Sequence, residues 1–340
     1  MNILITGGAG FIGSNLIKYL LKKYDYFIIN LDALTYAGNL DNLNEIHVHP
    51  RYHFVQGDIC NRELLDGLFI KYEINAVINV AAESHVDRSI NDPEIFLKTN
   101  VLGTQSLLDA SKKHWNTDSS NKRSRKYQEG VKFIQISTDE VYGTLGDRGY
   151  FTETTNLAPN SPYSASKAAS DMIVRAYYET YGLPINITRC SNNYGPYQNA
   201  EKLIPSMITR ALDNKPLPLY GDGKHVRDWL HVEDHCAAID LVLHKGKVGE
   251  VYNIGGNYEM ENLDLVKLIL SYLGKDESLI QFVSDRLGHD RRYAIDYSKI
   301  SSQLGWYPSY TLKDGLKSTI NWYLANKHWI INAKKRNVIS

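Results

Sequence analysis

Tyr163-Ser164-Ala165-Ser166-Lys167 sets a phenol and an ammonium four residues apart, on one face of any helix that spans them. An ammonium beside a phenol favours the phenolate and brings its pKa down from about 10, which makes a base usable near neutral pH. With 24 tyrosines in the chain, such a pair is cheap by itself. Upstream, Thr138-Asp139-Glu140 places a hydroxyl and two adjacent carboxylates directly after an apolar run. Neighbouring carboxylates raise one another's pKa, so one can stay protonated as an acid while the other serves as base. A turn cap would account for one of the two carboxylates and leave the other to be explained.

Near the amino terminus, Gly7, Gly10 and Gly13 sit between an apolar run and a helical pattern. Glycines so placed permit a tight turn, close approach of backbone to a pyrophosphate and close helix–strand packing, with the phosphates on the helix N-terminus. Asp32 follows Gly13 by 19 residues at the end of the second apolar run. An acid there accepts from both ribose hydroxyls and repels a 2′-phosphate, so the expected cofactor is NAD rather than NADP. Asp58 is placed either to meet the adenine or to cap the next helix.

These groups need a scaffold that gathers strand ends. Apolar runs at Ile3–Thr6, Tyr26–Leu31, His53–Val55, Ala76–Val80, Lys132–Ser137 and Ile185–Arg189 read as strands. Amphipathic stretches over Gly13–Lys23, Asn61–Lys71, Glu94–Lys113 and Tyr163–Tyr181 read as helices between them. The alternation predicts an α/β fold, a doubly wound parallel sheet with ligands beyond the strands' carboxyl ends. After Arg189 the elements shorten and Pro and Gly punctuate them, which predicts a smaller mixed α/β substrate domain. The expected division is 1–190, with a returning segment near 229–258, for the cofactor and the remainder of 191–330 for the substrate. The polar stretch Asn116–Gly130, with Lys122 and Arg123, reads as a solvated loop, and Ile331–Ser340 as a frayed tail.

The 340 residues carry 38 Lys+Arg and 38 Asp+Glu, and this balance argues against nucleic acid or an anionic membrane as partner. Hydrophobic residues at 43% are enough for a sizeable core. No apolar stretch approaches the ~18 residues of a spanning helix. Three scattered cysteines make no disulfide framework and point to a reducing, cytoplasmic compartment. His231-Val232-Glu233-Asp234-His235 lacks the H-E-x-x-H spacing, so no metal is expected.

Taken together, the glycine loop and Tyr163/Lys167 resemble the extended short-chain dehydrogenase/reductase superfamily, and Thr138-Asp139-Glu140 narrows the resemblance to its nucleotide-sugar 4,6-dehydratases. Epimerases of the superfamily generally lack the Asp-Glu pair. Further matching stretches are Ala82–Ser89, Asn192–Tyr197, Glu201–Pro205, Gly221–Gly223, Val226–Asp228 and Asp285–Tyr293, so the likeness runs nearly end to end. Leu287 departs from it where proline is the family's residue.

The resemblance implies a Rossmann sheet and a homodimer formed through helices over 99–113 and 163–181. It implies a dTDP-glucose or UDP-glucose substrate and a 4-keto-6-deoxy sugar product, by C4 oxidation, C5/C6 elimination and hydride return to C6 from bound NADH. Catalysis would then fall to Tyr163 as base at the 4-hydroxyl, Thr138 on the same oxygen, Lys167 holding ribose and phenol, Glu140 at C5 and Asp139 at C6. Phe11, Ile12, Ile59, Ala81, Ala82, Ser84, Thr99 and Asn193 would complete the cofactor site. Arg227 and Arg286 suit the diphosphate as planar donors, with Lys202, Asn192 and Asn262 in the same role. Pro218 and Tyr220 would stack the base; Leu203, Asp285, His289 and Tyr293 would finish the wall, and His85 stands near the sugar or is structural. Rivals are a nucleotide-sugar 4-epimerase and an NAD-binding regulatory protein without catalysis.

Overall fold

The structure, a computed structural model, describes residues 1–118, 120–121 and 124–339, with side chains through Ala333. Among these, the strands are β1 (Asn2–Thr6), β2 (Phe27–Asp32), β3 (Tyr52–Gln56), β4 (Ala76–Asn79), β5 (Lys132–Thr138) and β6 (Ile185–Cys190). They continue with β7 (Asn192–Tyr194), β8 (Leu217–Tyr220), β9 (Val226–His231), β10 (Val251–Ile254), β11 (Glu259–Glu261) and β12 (Ile280–Val283). The main sheet has the order β10-β6-β5-β4-β1-β2-β3, and every pairing in it is parallel, as the strand–helix alternation predicts. The chain winds outward from β1 through β2 and β3, then resumes on β1's other side with β4. That reversal opens a crevice beyond the carboxyl ends of β1 and β4.

Alternate residues of each strand feed opposite faces. Ile3, Ile5, Ile78 and Ile134 enter one buried cluster with the helices Phe11–Lys23 and Val232–Lys245. Leu4, Ile29, Val77 and Phe133 enter the other, beneath helices Arg62–Tyr72 and Thr104–Trp115. Burial on both sides explains why these runs read as continuous Ile and Val, and each fully buried side chain contributes about 1.5–3 kcal/mol.

Just below the strand ends, a closed polar network fixes the register. Thr6 Oγ1 donates to Asn79 Oδ1 (2.6 Å), and Asn79 Nδ2 donates to Thr104 Oγ1 and Gln135 Oε1. Gln135 Nε2 then donates to Ser170 Oγ of the helix Pro162–Tyr181. Buried polar groups stabilise only when satisfied, so this network favours one alignment of β1, β4 and β5.

Two smaller sheets, β11-β9-β7 and β12-β8, pack with helices Leu203–Leu212, Asn262–Leu273 and Leu312–Ala325 around a separate apolar cluster containing Met207, Ile269 and Leu316. No helix among the described residues is long and apolar enough to cross a membrane.

Two expectations need correction. The single helix over Glu94–Lys113 is instead a short turn Pro93–Phe96, a π-helical segment Leu97–Gly103 and the helix Thr104–Trp115. The wider π turn swings Asn100 inward, where its amide bonds both the N–H and the carbonyl of Glu83 and donates to Ser166 Oγ. The tail forms the helix Lys327–Ile339, held by buried Trp329, whose indole donates to Asn42 Oδ1 at 2.7 Å. The described part of the 116–130 loop is half-buried or exposed throughout, as expected, and pairs back on itself through Thr117 N–H to Lys126 O and Gln128 N–H to Trp115 O; Lys122 and Arg123 lie outside the described residues.

Candidate active site

The crevice holds a cavity of about 360 Å³ that runs from the glycine loop to the end of β5. Its cofactor-side lining contains Gly7, Gly10, Phe11, Ile12, Gly13, Asp32, Asp58, Ile59, Ala81, Ala82, Ser84, Thr99 and Asn193, all expected from sequence. Gly7 has φ +68°, and a Cβ there would meet the Ala81 backbone at 2.7 Å. A Cβ on Gly13 would meet Gly7 O at 2.3 Å, because the first helical turn lies against the loop. Gly13→Ala must displace backbone, which costs about 1–3 kcal/mol; the expected result is weaker NAD binding and a lowered melting temperature. A titration and melt indistinguishable from wild type would refute this packing role.

Asp32 is buried, and each carboxylate oxygen already accepts one backbone N–H, from Ala9 and from Leu34, both at 2.8 Å. Burial pushes its carboxyl up, and the two amides oppose that shift. Each oxygen keeps a lone pair for a ribose hydroxyl, so the donor set fits NAD. Asp58 bonds the Cys60 N–H, whereas Asn61 caps the next helix by accepting from Leu64 N–H. The capping alternative for Asp58 therefore falls away.

The catalytic candidates come from two elements locked together. Helix Pro162–Tyr181 starts with Pro at its first position and a capping box between Ser161 and Ser164, which puts Tyr163 at the crevice. The turn Asp139–Tyr142 continues β5; its Tyr142 donates to Asn253 Oδ1 and accepts from Arg189 Nη1, and Arg189 Nε donates to Asp171. Asp171 lies one helical turn beyond Lys167, so this buried chain ties turn to helix.

Thr138, Asp139, Glu140, Tyr163 and Lys167 all line the cavity, with Asn192 and Lys202 beside them. Asp139's carboxyl is held well above the usual carboxylate range, first by burial and then by the neighbouring charges of Glu140 and Asp228. Its Oδ2 is buried without a hydrogen-bond partner. Glu140 is also raised by burial, but Arg286, Arg227 and Lys202 pull it back. The two carboxyls thus separate into an acid that keeps its proton and a base that releases it more readily.

Tyr163 departs from expectation. Burial and the Glu140 charge drive its phenol well above 10, while Lys167 Nζ donates to the Ile136 carbonyl at 2.7 Å. The ammonium is thereby spent in part on β5, and i,i+4 spacing alone does not settle where it points.

His85, Leu203, Pro218, Tyr220, Arg227, Asn262, Asp285, Arg286, His289 and Tyr293 lie outside this lining. Arg227 is turned away from a diphosphate: its Nη atoms donate to the carbonyls of Val226, Arg291 and Asp290 over the Tyr293 ring. It still reaches Glu140 electrostatically, as does Arg286, whose Nε is buried and unpartnered. His85 caps the helix Val86–Asn91, accepting from Arg88 N–H, the structural reading of that residue. Sequence reasoning missed Tyr36, Glu83, Ser137, Gln198 and Trp329 in the lining. Ser137 was legible as the strand end; Trp329 reaches the cavity only through tertiary packing.

Residues 4–319 match the family model described as GDP-mannose 4,6 dehydratase. The dTDP-glucose 4,6-dehydratase of Xanthomonas campestris pv. campestris is 53% identical over 336 residues, covering 96% of this chain and 94% of the relative. The chain belongs to the dTDP-glucose 4,6-dehydratase family. Another dTDP-glucose 4,6-dehydratase, from Bacillus anthracis, solved in complex with NAD, superposes with a TM-score of 0.88 at 54% identity, over 98% of this chain and 99% of that one. DesIV from Streptomyces venezuelae, solved with NAD and a dTDP ligand bound, gives 0.91 at 47% identity, over 98% and 100%.

Proposed function

We propose that the chain converts dTDP-glucose to dTDP-4-keto-6-deoxyglucose and water. The observation that carries this reading is the carboxyl pair just after β5, buried Asp139 and half-buried Glu140, with both pKa values pushed up and Asp139 Oδ2 left without a hydrogen-bond partner. A 4-epimerase needs no second acid–base pair, and an NAD-binding regulator needs only the glycine loop and Asp32.

NAD, when bound, would supply a hydride acceptor for C4 whose reduced form returns that hydride to C6, together with a positive charge in the cavity. Gly7, Gly10 and Gly13 admit its pyrophosphate, Asp32 takes the ribose hydroxyls and Lys167 holds the other ribose. Tyr163 removes the 4-hydroxyl proton, with Thr138 bonded to the same oxygen. Its raised phenol pKa requires added positive charge before it can act at neutral pH, so cofactor binding precedes base catalysis. Glu140 takes the C5 proton, which the 4-keto group has acidified. Asp139 gives its proton to the C6 hydroxyl, and water leaves. C5 is then reprotonated, and the sugar nucleotide carries no net redox change.

Arg286 and Lys202 receive the diphosphate, and Pro218 and Tyr220 the base. The thymine methyl is worth about 1 kcal/mol of burial, so dTDP-glucose should exceed UDP-glucose in kcat/KM by roughly fivefold. Following 4-keto sugar formation with each nucleotide separately tests this, and inactivity on both overturns the reading. A homodimer fits the exposed Leu102 and Met172 on the segments expected to pair. Free Cys60, Cys190 and Cys236 fit the cytoplasm.

A further inference from the structure

The sequence offers no metal-ligand spacing, yet the fold brings His225, between β8 and β9, against Asp285 and His289, from the segment after β12. One ligand-capable atom from each of the three lies within 4.8 Å of the other two. His225 Nε2 stands 3.3 Å from one Asp285 oxygen, and His289 Nδ1 stands 2.6 Å from the other. The imidazoles stack with centroids 3.7 Å apart and planes 17° from parallel, so both present a nitrogen to the same carboxylate. Their side chains are 4% and 5% exposed, whereas that of Asp285 is 41% exposed and leaves a route from solvent.

We propose that His225, Asp285 and His289 bind one divalent transition-metal ion of the Zn²⁺ class, which would clamp the β8–β9 turn to the segment after β12. Tetrahedral ligands at about 2.0–2.1 Å stand about 3.3–3.4 Å from one another. His225 Nε2 stands at that spacing from Asp285 Oδ2, while His289 Nδ1 lies about 0.7 Å inside it from Asp285 Oδ1, so the carboxylate must turn to bring one oxygen to both imidazoles. Metal binding requires the Nε2 lone pair of His225. Its Nδ1 is buried without a partner and Nε2 faces Asp285, so the ring proton must move to Nδ1, exchanging the contact with the carboxylate for the bond to the metal. Two imidazoles and one carboxylate select Zn²⁺ or Co²⁺ over Mg²⁺.

The test uses untagged, chelator-treated protein. Co²⁺ should bind one per chain with a visible ligand-field absorption, and Zn²⁺ should displace it. Zn²⁺ at one hundred times its Kd should raise the melting temperature by about 4 °C, while Mg²⁺ leaves it unchanged. His225→Asn and Asp285→Asn should each weaken Co²⁺ binding by about tenfold or more. His225→Asn should keep its turnover of dTDP-glucose, which separates the metal site from the proposed activity. No Co²⁺ absorption in the wild type, or undiminished affinity in His225→Asn, would reduce the cluster to a hydrogen-bonded triad and overturn the proposal.

Discussion

The double substitution Asp139→Asn with Glu140→Gln should leave the protein able to oxidise C4 of its sugar but unable to expel water. Both replacements keep the side-chain shape and remove the titrating proton. Each general acid or base contributes about 10²–10⁴-fold. The pair serves one elimination, so the combined loss of dehydrated product should be about 10⁴-fold rather than the product of two losses. Mass spectrometry of quenched single turnovers separates oxidised sugar that retains its C6 oxygen from the dehydrated product. Near wild-type release of the dehydrated product sinks the assignment. The same variant carries a stability signature. Both carboxyls sit above their unfolded pKa values, so the folded state binds these protons more tightly than the unfolded state does. Their stabilising contribution is complete below the ordinary carboxylate range and is lost as pH rises through the folded values. Amides titrate at neither pH, so the variant should melt higher than wild type at neutral pH, and the gap should close on acidification.

Tyr163→Phe should lower kcat by about 10²–10⁴-fold while leaving sugar-nucleotide binding nearly unchanged. The ring stays packed edge-on against Phe96, so the buried site keeps its shape and only the hydroxyl is lost. Calorimetric binding alongside turnover checks both halves. Activity within tenfold of wild type would show that another group takes the 4-hydroxyl proton. Lys167 enters here as well: its bond to the Ile136 carbonyl fixes the ammonium beside the cavity, so Lys167→Met should lose both cofactor affinity and rate.

The main sheet, the glycine loop, Asp32 and the set Thr138, Asp139, Glu140, Tyr163 and Lys167 were all readable from the chain. Each depends on local facts: β-branched runs that pair in parallel, glycines where a Cβ would strike backbone, and side chains fixed to a strand end or a helix start. Such features keep their geometry once the element forms, and the element follows from short-range periodicity. What the sequence left open turns on where distant segments meet. The π turn that aims Asn100 at Glu83, the carbonyls that take up Arg227, and the carbonyl that receives Lys167 are contacts between residues far apart in the chain. Local pattern carries no record of such partners. Trp329 at the cavity wall and the His225–Asp285–His289 cluster are further cases, because Trp329 meets Asn42 across 287 residues of chain and His225 meets Asp285 across 60. The sequence determined which groups can do chemistry and at which strand ends they stand. Only the tertiary structure decided which of them are free to do it, because that depends on the partners burial supplies.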